Sequence, residues 1–267
     1  MQKDIFIQAR MGSTRLPRKV LTIIGDKPIL VRTYQRIRKT ALAKHVVVIT
    51  STDQKDDKIE AVCHQYNIPV FRGSELDLLD RHYKAALKFQ SDYVFKIPSD
   101  CPLSDVGIID QVIKLAEKYD YVSNYHPPSF PDGLDVEGAS FKCLQLAWKN
   151  ATASHEREHT FPYIWDQPNT FSIGNLENKL QNMFMTHRWT IDYREDMDFI
   201  KTIYREFDYS DDFGFHEVLQ LLNKKPELMK INDKYNGVNW YRNESHNLKT
   251  IDKNQYKKEP LRLLNED

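Results

Sequence analysis

The sequence predicts an α/β protein built on a mixed, mostly parallel sheet flanked by helices. Three observations carry that prediction. Short β-branched or aromatic runs recur through the first 125 residues, helix-length amphipathic stretches separate them, and a glycine-containing basic loop follows directly on the first run. The chain has 267 residues, 40% apolar and 28% charged, which suits one sizeable folded domain and is too apolar for a disordered one.

The strand-like runs fall at 5–8, 45–50, 69–72, 93–97 and 121–123. Between them, Ile59, Val62, Cys63 and Tyr66 stand at i, i+3, i+4 and i+7, and Val106, Ile109, Ile113 and Ala116 nearly repeat that spacing. Helices between strands imply βαβ units, whose ligands bind beyond the carboxyl ends of the strands. After residue 125 the texture changes. Residues 125–133 hold three prolines and a glycine and predict a loop. A strand over 136–141, helices near 142–150 and 154–165, returning strands at 171–173 and 188–191, and a helix carrying Ile200, Ile203, Tyr204 and Phe207 follow. From Asn232 the chain is polar and rich in Lys and Asn, and is expected to wrap the surface or fray.

Lys plus Arg and Asp plus Glu are both 38, so no global basic field favours nucleic acid. No apolar run approaches the roughly 18 residues of a membrane span. The first apolar stretch stops at Gln8, too short for a signal peptide, and Cys63, Cys101 and Cys143 form neither a disulfide framework nor a CxxC pattern. A cytoplasmic protein that binds neither membrane nor nucleic acid is expected, and the sequons at Asn150 and Asn243 then carry no meaning.

The most informative stretch is QARMGSTRLPRKVL, residues 8–21. Gly12 and Ser13 allow a tight turn whose N–H groups can approach an anion, and Arg10, Arg15, Arg18 and Lys19 surround it with cations. Residues 1–45 contain eleven Lys or Arg and only two acids, Asp4 and Asp26. A solvated basic loop would show the same composition, but its position after the first strand favours bound phosphate. Neither GxxxxGK[ST] nor GxGxxG is present.

This stretch resembles the nucleotide loop of the cytidylyltransferases related to CMP-Kdo synthetase and acylneuraminate cytidylyltransferase, nearest to the branch of the spore coat polysaccharide biosynthesis protein F. Further matches are FRGSELDLLDR (71–81), SDCPLSD (99–105), DGLDVE (132–137), REHTFPYIW (157–165) and RWTIDYREDMDFI (188–200). The resemblance departs at Pro98-Ser99, where the family more often carries Thr-Gly or Ser-Gly, and at Arg18, where glycine is usual. It implies a glycosyltransferase-A-like nucleotidyltransferase domain over 1–231, with acceptor-side and possible dimerisation elements in 125–187, and a polar extension over 232–267. A homodimer is a possible assembly.

The implied reaction is CMP transfer from CTP to a small-molecule acceptor, a sugar acid or phosphorylated metabolite, with release of pyrophosphate for surface polysaccharide biosynthesis. Arg10, Arg15 and Lys19 would hold the triphosphate. Gly12, Ser13 and Arg81 would line the nucleotide site, and Ala9 with the Thr50-Ser51-Thr52 turn would read the base. Asp100 and Asp192 would hold Mg²⁺; locally, an Asx turn at Asp100 and a helix cap at Asp192 are the plainer alternatives. Arg15, Lys19 and Asp100 are the expected catalytic set. Asp132, Asp135, Glu137, His159 and Arg188 would face the acceptor. Asp135 and Glu137, two apart in a strand, point to one face. With Asp132 they crowd three acids that need a positive partner, which could be Mg²⁺, an amine or hydroxyl cluster on the acceptor, or Arg188 from a neighbouring strand; a simple Asp-Gly turn with solvated acids is the plainer alternative.

Two other activities share some of these residues. A glycosyltransferase with a nucleotide-sugar donor could use Asp135-Val136-Glu137 as its acidic metal motif, and would release no pyrophosphate. His155, Glu156 and His159 match HExxH, the zinc-hydrolase helix, but Ser154 reads as an N-cap, placing His155 in a first turn, and Pro162 stops the pattern.

Overall fold

The computed structural model describes residues 1–257. Its strands are β1 (Lys3–Gln8), β2 (Ile23–Ile24), β3 (Lys27–Pro28), β4 (His45–Ser51), β5 (Val70–Gly73), β6 (Tyr93–Pro98), β7 (Tyr121–Ser123), β8 (Glu137–Ser140) and β9 (Ile173–Asn175). The helices are α1 (Ile29–Ile37), α2 (Asp57–Gln65), α3 (Leu78–Phe89), α4 (Val106–Leu115), α5 (Phe141–Asn150), α6 (Ser154–His159), α7 (Pro162–Trp165), α8 (Arg194–Glu206), α9 (Phe215–Lys224) and α10 (Tyr241–Glu244). The main sheet has seven strands in the order β5-β4-β1-β6-β8-β7-β9. β5, β4, β1 and β6 run parallel, β8 is antiparallel to both neighbours, and β9 is parallel to β7. β2 and β3 form a separate hairpin.

Side-chain alternation builds a layer on each face. Ile5 and Ile7 of β1, Val48 of β4 and Phe95 and Ile97 of β6 pack with α1, α2 and α4. Phe6, Val47, Ile49 and Val94, one residue out of phase, pack with α3, α5 and α7. A third cluster joins the hairpin, α8 and α9 around the buried Trp189 and Ile191.

The α/β alternation of the first 125 residues is as expected, and three later elements differ. Residues 136–141 give a strand only over Glu137–Ser140, and it stops there because Phe141 already begins α5 under the Ser140 cap. The helix expected over 154–165 is broken into α6 and α7 at Thr160, whose φ is +77°. The strand expected at 188–191 is a bridged crossing segment. It pairs with Asp132 at one end, Trp189 N–H donating to Asp132 C=O at 2.6 Å, and with Asp100 at the other, Ile191 N–H donating at 3.0 Å. Its backbone is shared between two loops, so no continuous ladder forms. Gly133, at φ +108°, allows that approach: a Cβ there would lie 2.4 Å from the Thr190 nitrogen.

Candidate active site

The three neighbouring parallel strands β4, β1 and β6 end together at Ser51, Gln8 and Pro98, and the loops leaving that edge form two adjoining clefts. One, of about 220 Å³, is lined by Ala9, Arg10, Ser13, Arg15, Lys19 and Arg81. The other, of about 200 Å³, is lined by Lys96, Asp132, Asp135, Glu137, Asn239 and Trp240. Gln8, Arg15, Asp100, His159 and Asp192 face both. The residues that meet there are as much as 184 positions apart in the chain (8 to 192).

Lys19, on the wall of the first cleft, bonds the two aspartates that face both. Its ammonium donates to Asp100 Oδ2 at 2.5 Å, to Asp192 Oδ1 at 2.9 Å and to the Ile191 carbonyl at 2.5 Å. Burial alone would lower its pKa, but Asp100 and Asp192 raise it above its ordinary value, so it is fully charged. Asp192 also takes Arg15 at 2.8 Å and Arg188 at 3.1 Å. Against the cost of burial, Lys19, Arg188 and Arg15 hold its carboxyl below the usual range. Asp192 does not cap α8. That service comes from Asp196, which accepts the N–H groups of Asp192 and Tyr193 at 2.9 and 3.0 Å. The Asp192 carboxylate is thereby turned into the cleft.

The basic loop divides. Lys19 is buried, whereas Arg10, Gly12 and Arg18 are exposed. Arg18 adopts φ +63°, the left-handed region that glycine enters without penalty. A Cβ on Gly12 would meet open space, so no protein contact demands glycine there. Ser13 Oγ accepts the Leu16 N–H at 3.3 Å and closes the turn on itself.

The expected base-reading groups are largely committed elsewhere. Ala9 lines the first cleft, but its N–H donates to Ile49 C=O at 3.0 Å, and the Thr52 N–H donates to Gly73 C=O at 2.9 Å. Thr50 Oγ1, Ser51 Oγ and Ser51 N–H all donate to Asp56 Oδ2, while Met11 N–H donates to Asp56 Oδ1 at 2.7 Å. Asp56, buried and with its pKa held down by these donors, ties the basic loop to β4. Ser51 and Gly12 border a smaller recess of about 50 Å³ beside Arg10 and Arg81, and Thr50 is fully buried. Arg81 is pinned to the Ser74 and Glu75 carbonyls, and burial lowers its pKa to about 10.

In the second cleft each acid has a different environment. Glu137 and Lys96 are cross-strand partners in the register of β8 and β6, and Lys96 Nζ donates to Glu137 at 2.5 Å and to the His159 carbonyl at 2.9 Å. The Tyr121 hydroxyl also donates to Glu137, at 2.9 Å. Asp132 takes Arg188 at 2.8 Å, and burial still pushes its pKa up to about 7. Asp135 faces the cleft with the Gly133 N–H as its donor; burial, with Asp132 and Glu137 nearby, raises its pKa well above the carboxylate range. Arg188, a candidate both for the acceptor and for the cation that the crowded acids need, takes the second place: it is 2% exposed and lines neither cleft, its guanidinium bonding Asp132, Asp192, Asp196 and the Val238 carbonyl. It positions the acids from behind.

His159 faces both clefts with its ring stacked on Trp240 at 3.7 Å, and burial, followed by Lys96, lowers its pKa to about 3. It is a neutral ring over the physiological range. The HExxH residues are spent separately. Glu156 accepts the Thr152 and Ala153 N–H groups as the cap of α6, a role expected of Ser154, and His155 faces Glu244 at 3.8 Å. Among the described residues no group of three metal-capable side chains assembles there.

A model of the cytidylyltransferase family matches residues 5–239. The chain belongs to the cytidylyltransferase family. It is 35% identical to the uncharacterised protein MJ1063 of Methanocaldococcus jannaschii, covering 85% of this chain and 92% of that one. It is 31% identical to the spore coat polysaccharide biosynthesis protein SpsF of Bacillus subtilis, over 83% of this chain and 94% of the relative. Among solved structures, a cytidylyltransferase from Leptospira borgpetersenii superposes with a TM-score of 0.81 at 31% identity, covering 86% of this chain and 97% of that one. CMP:2-keto-3-deoxy-manno-octonic acid synthetase, solved with CTP, shares the fold at a TM-score of 0.60 and 14% identity, over 77% of this chain and 99% of the synthetase. This cytidylyltransferase-family sheet therefore carries its two clefts where α/β sheets place ligands.

Asp56, Lys96, Asp196 and Trp240 are site residues that sequence reasoning missed. Lys96 had a detectable signal: a lone cation in the apolar run YVFKIP needs a buried acid opposite. The others sit among ordinary polar neighbours.

Proposed function

We propose that this protein transfers CMP from CTP to a hydroxyl of a sugar acid or phosphorylated metabolite, releasing pyrophosphate, as a step toward surface polysaccharide. One observation carries the proposal: a cation-lined cleft and an acid-lined cleft meet at Arg15, Asp100 and Asp192. CTP would lie in the first, its triphosphate neutralised by Arg10, Arg15 and Lys19, with Arg81 at the border. The acceptor would lie in the second, against Asp135, Lys96–Glu137 and His159. The acceptor oxygen forms the new bond to the α-phosphorus, the bond to pyrophosphate breaks in line with it, and the hydroxyl proton is released. The protein's part is positioning and charge compensation.

A divalent cation fits the donor set. Asp100 and Asp192 converge on one positive group from separate loops, Lys19 Nζ lying 2.5 and 2.9 Å from their oxygens. Mg²⁺ typically takes one or two carboxylates, with phosphate oxygens and water completing its shell. Bound by these two aspartates, Mg²⁺ would supply neutralisation of charge on the α-phosphate. The glycosyltransferase reading gains nothing from the geometry, because Glu137 of the Asp135-Val136-Glu137 motif is committed to Lys96 and Tyr121.

The direct test is pyrophosphate release with each nucleoside triphosphate across a panel of acceptors. CTP with Mg²⁺ should also raise Tm more than UTP, ATP or GTP. At a hundredfold excess over Kd the stabilisation is about 2.7 kcal/mol, or roughly 5–10 °C for a chain of this size. A larger shift with a purine triphosphate would overturn the cytosine assignment.

A further inference from the structure

We infer that Lys19 is an exchangeable counter-ion. Its ammonium holds Asp100 and Asp192 together in the empty site, and it yields them to a divalent cation only as it turns to the triphosphate. This deepens the cytidylyl-transfer reading and rests on that reading's assignment of Mg²⁺ to the two aspartates. Metal and nucleotide then depend on each other for binding.

A lysine ammonium has three N–H donors and no acceptor. At Lys19 all three are taken, by Asp100 Oδ2 at 2.5 Å, Asp192 Oδ1 at 2.9 Å and the Ile191 carbonyl at 2.5 Å. None is left for a phosphate oxygen. Holding the aspartates and holding a triphosphate are therefore two states of one side chain. A divalent cation bound to the same two carboxylates would also meet the ammonium at close range, where like charges repel.

The side chain can make the move by itself. Lys19 opens a short 3₁₀ turn (Lys19–Leu21) and lines the first cleft with Ser13, Thr14 and Arg15. Its flexible four-carbon stem lets the ammonium swing within that cleft while the backbone stays in place. The two aspartates fare differently when it leaves. Asp192 keeps Arg15 at 2.8 Å and Arg188 at 3.1 Å, whereas Asp100 has no ion pair besides Lys19 among the described residues. Nucleotide alone would thus leave Asp100 uncompensated beside an incoming triphosphate. Metal alone would evict a buried ammonium from three bonds with no new partner to receive it. Arriving together, each ligand covers the loss caused by the other, and the coupling is equal in both directions.

The test follows Mn²⁺, a paramagnetic stand-in for Mg²⁺, by water-proton relaxation, which separates metal on the full chain from metal held by free CTP. Without nucleotide the unmodified protein should bind Mn²⁺ weakly, and saturating CTP should tighten that binding about tenfold or more. Lys19→Met should bind Mn²⁺ alone about tenfold more tightly than the unmodified protein, and CTP should add much less to it. Lys19→Gln, which keeps a donor for the Ile191 carbonyl, gives the same comparison if Lys19→Met does not fold. Adding Asp192→Asn to either variant should abolish the gain, which locates it. Arg15→Met, which removes another cation bonded to Asp192, should gain clearly less. Unchanged Mn²⁺ affinity in the folded Lys19 variant would overturn the inference, and so would an equal gain in Arg15→Met, the signature of simple charge removal. CTP that raises Tm of the unmodified protein yet leaves its Mn²⁺ affinity unchanged would overturn it as well. The comparison with Mn²⁺ alone contains no nucleotide, so it is judged apart from the transfer reading. That reading falls instead if CTP with Mg²⁺ leaves Tm of the unmodified protein where it was.

Discussion

Asp100→Asn is expected to reduce pyrophosphate release by roughly 10²–10³-fold or more while leaving the fold intact, the loss seen when one preorganised charge-stabilising group is removed. Asn keeps the shape of the side chain and removes its charge. Lys19 keeps Asp192 and the Ile191 carbonyl as partners, so no buried cation is stranded. The Asp100 backbone also keeps its bond to Ile191, which does not depend on the side chain. Tm should therefore stay close to that of the unmodified protein. Activity within a few fold of the original, at an unchanged Tm, would move the metal and phosphate chemistry away from this loop. Adding a chelator such as EDTA should mimic the substitution, and excess Mg²⁺ should reverse the chelation but not the substitution.

Arg188→Met should be the most destabilising single change at the site. The guanidinium holds Asp132, Asp192 and Asp196 together and is itself buried. Removing one partner of a buried ion pair leaves the other charge uncompensated, at a cost of about 3–5 kcal/mol. For a chain of this size that lowers Tm by roughly 6–20 °C. Asp196 has a second duty, capping α8 through the Asp192 and Tyr193 N–H groups, so Asp192 should lose its alignment as well. Arg188→Lys should recover only part of the stability, because one ammonium cannot replace a fork that bonds three carboxylates and the Val238 carbonyl. A Tm within 2 °C of the original for Arg188→Met, measured by calorimetry, would show that these acids are content without their cation, against the roughly 3–5 kcal/mol expected.

The chain by itself determined the alternation of strands and helices up to residue 125, the placing of the basic loop after β1, and the cytidylyltransferase likeness that singled out Asp100 and Asp192. Those features are local: hydrophobic period, turn composition and short motifs survive in a linear string. Tertiary structure alone decided which charges pair. Lys96 meets Glu137 through strand register, Lys19 meets Asp192 across 173 positions, and Asp56 takes the Thr50 and Ser51 hydroxyls and the Ser51 amide that the sequence offers for reading the base. Arg188 reads in the sequence either as an acceptor residue or as the cation among the crowded acids, and only the fold selects the second, burying its guanidinium against Asp132, Asp192 and Asp196. The polar stretch from Asn232, expected to wrap or fray, inserts Tyr241 into the core and sets Trp240 against His159. Its composition resembles surface because burial there depends on a few aromatic side chains and on carbonyls that pair with Arg188. A buried charge network is defined by distance in space, and periodicity along the chain carries no record of it.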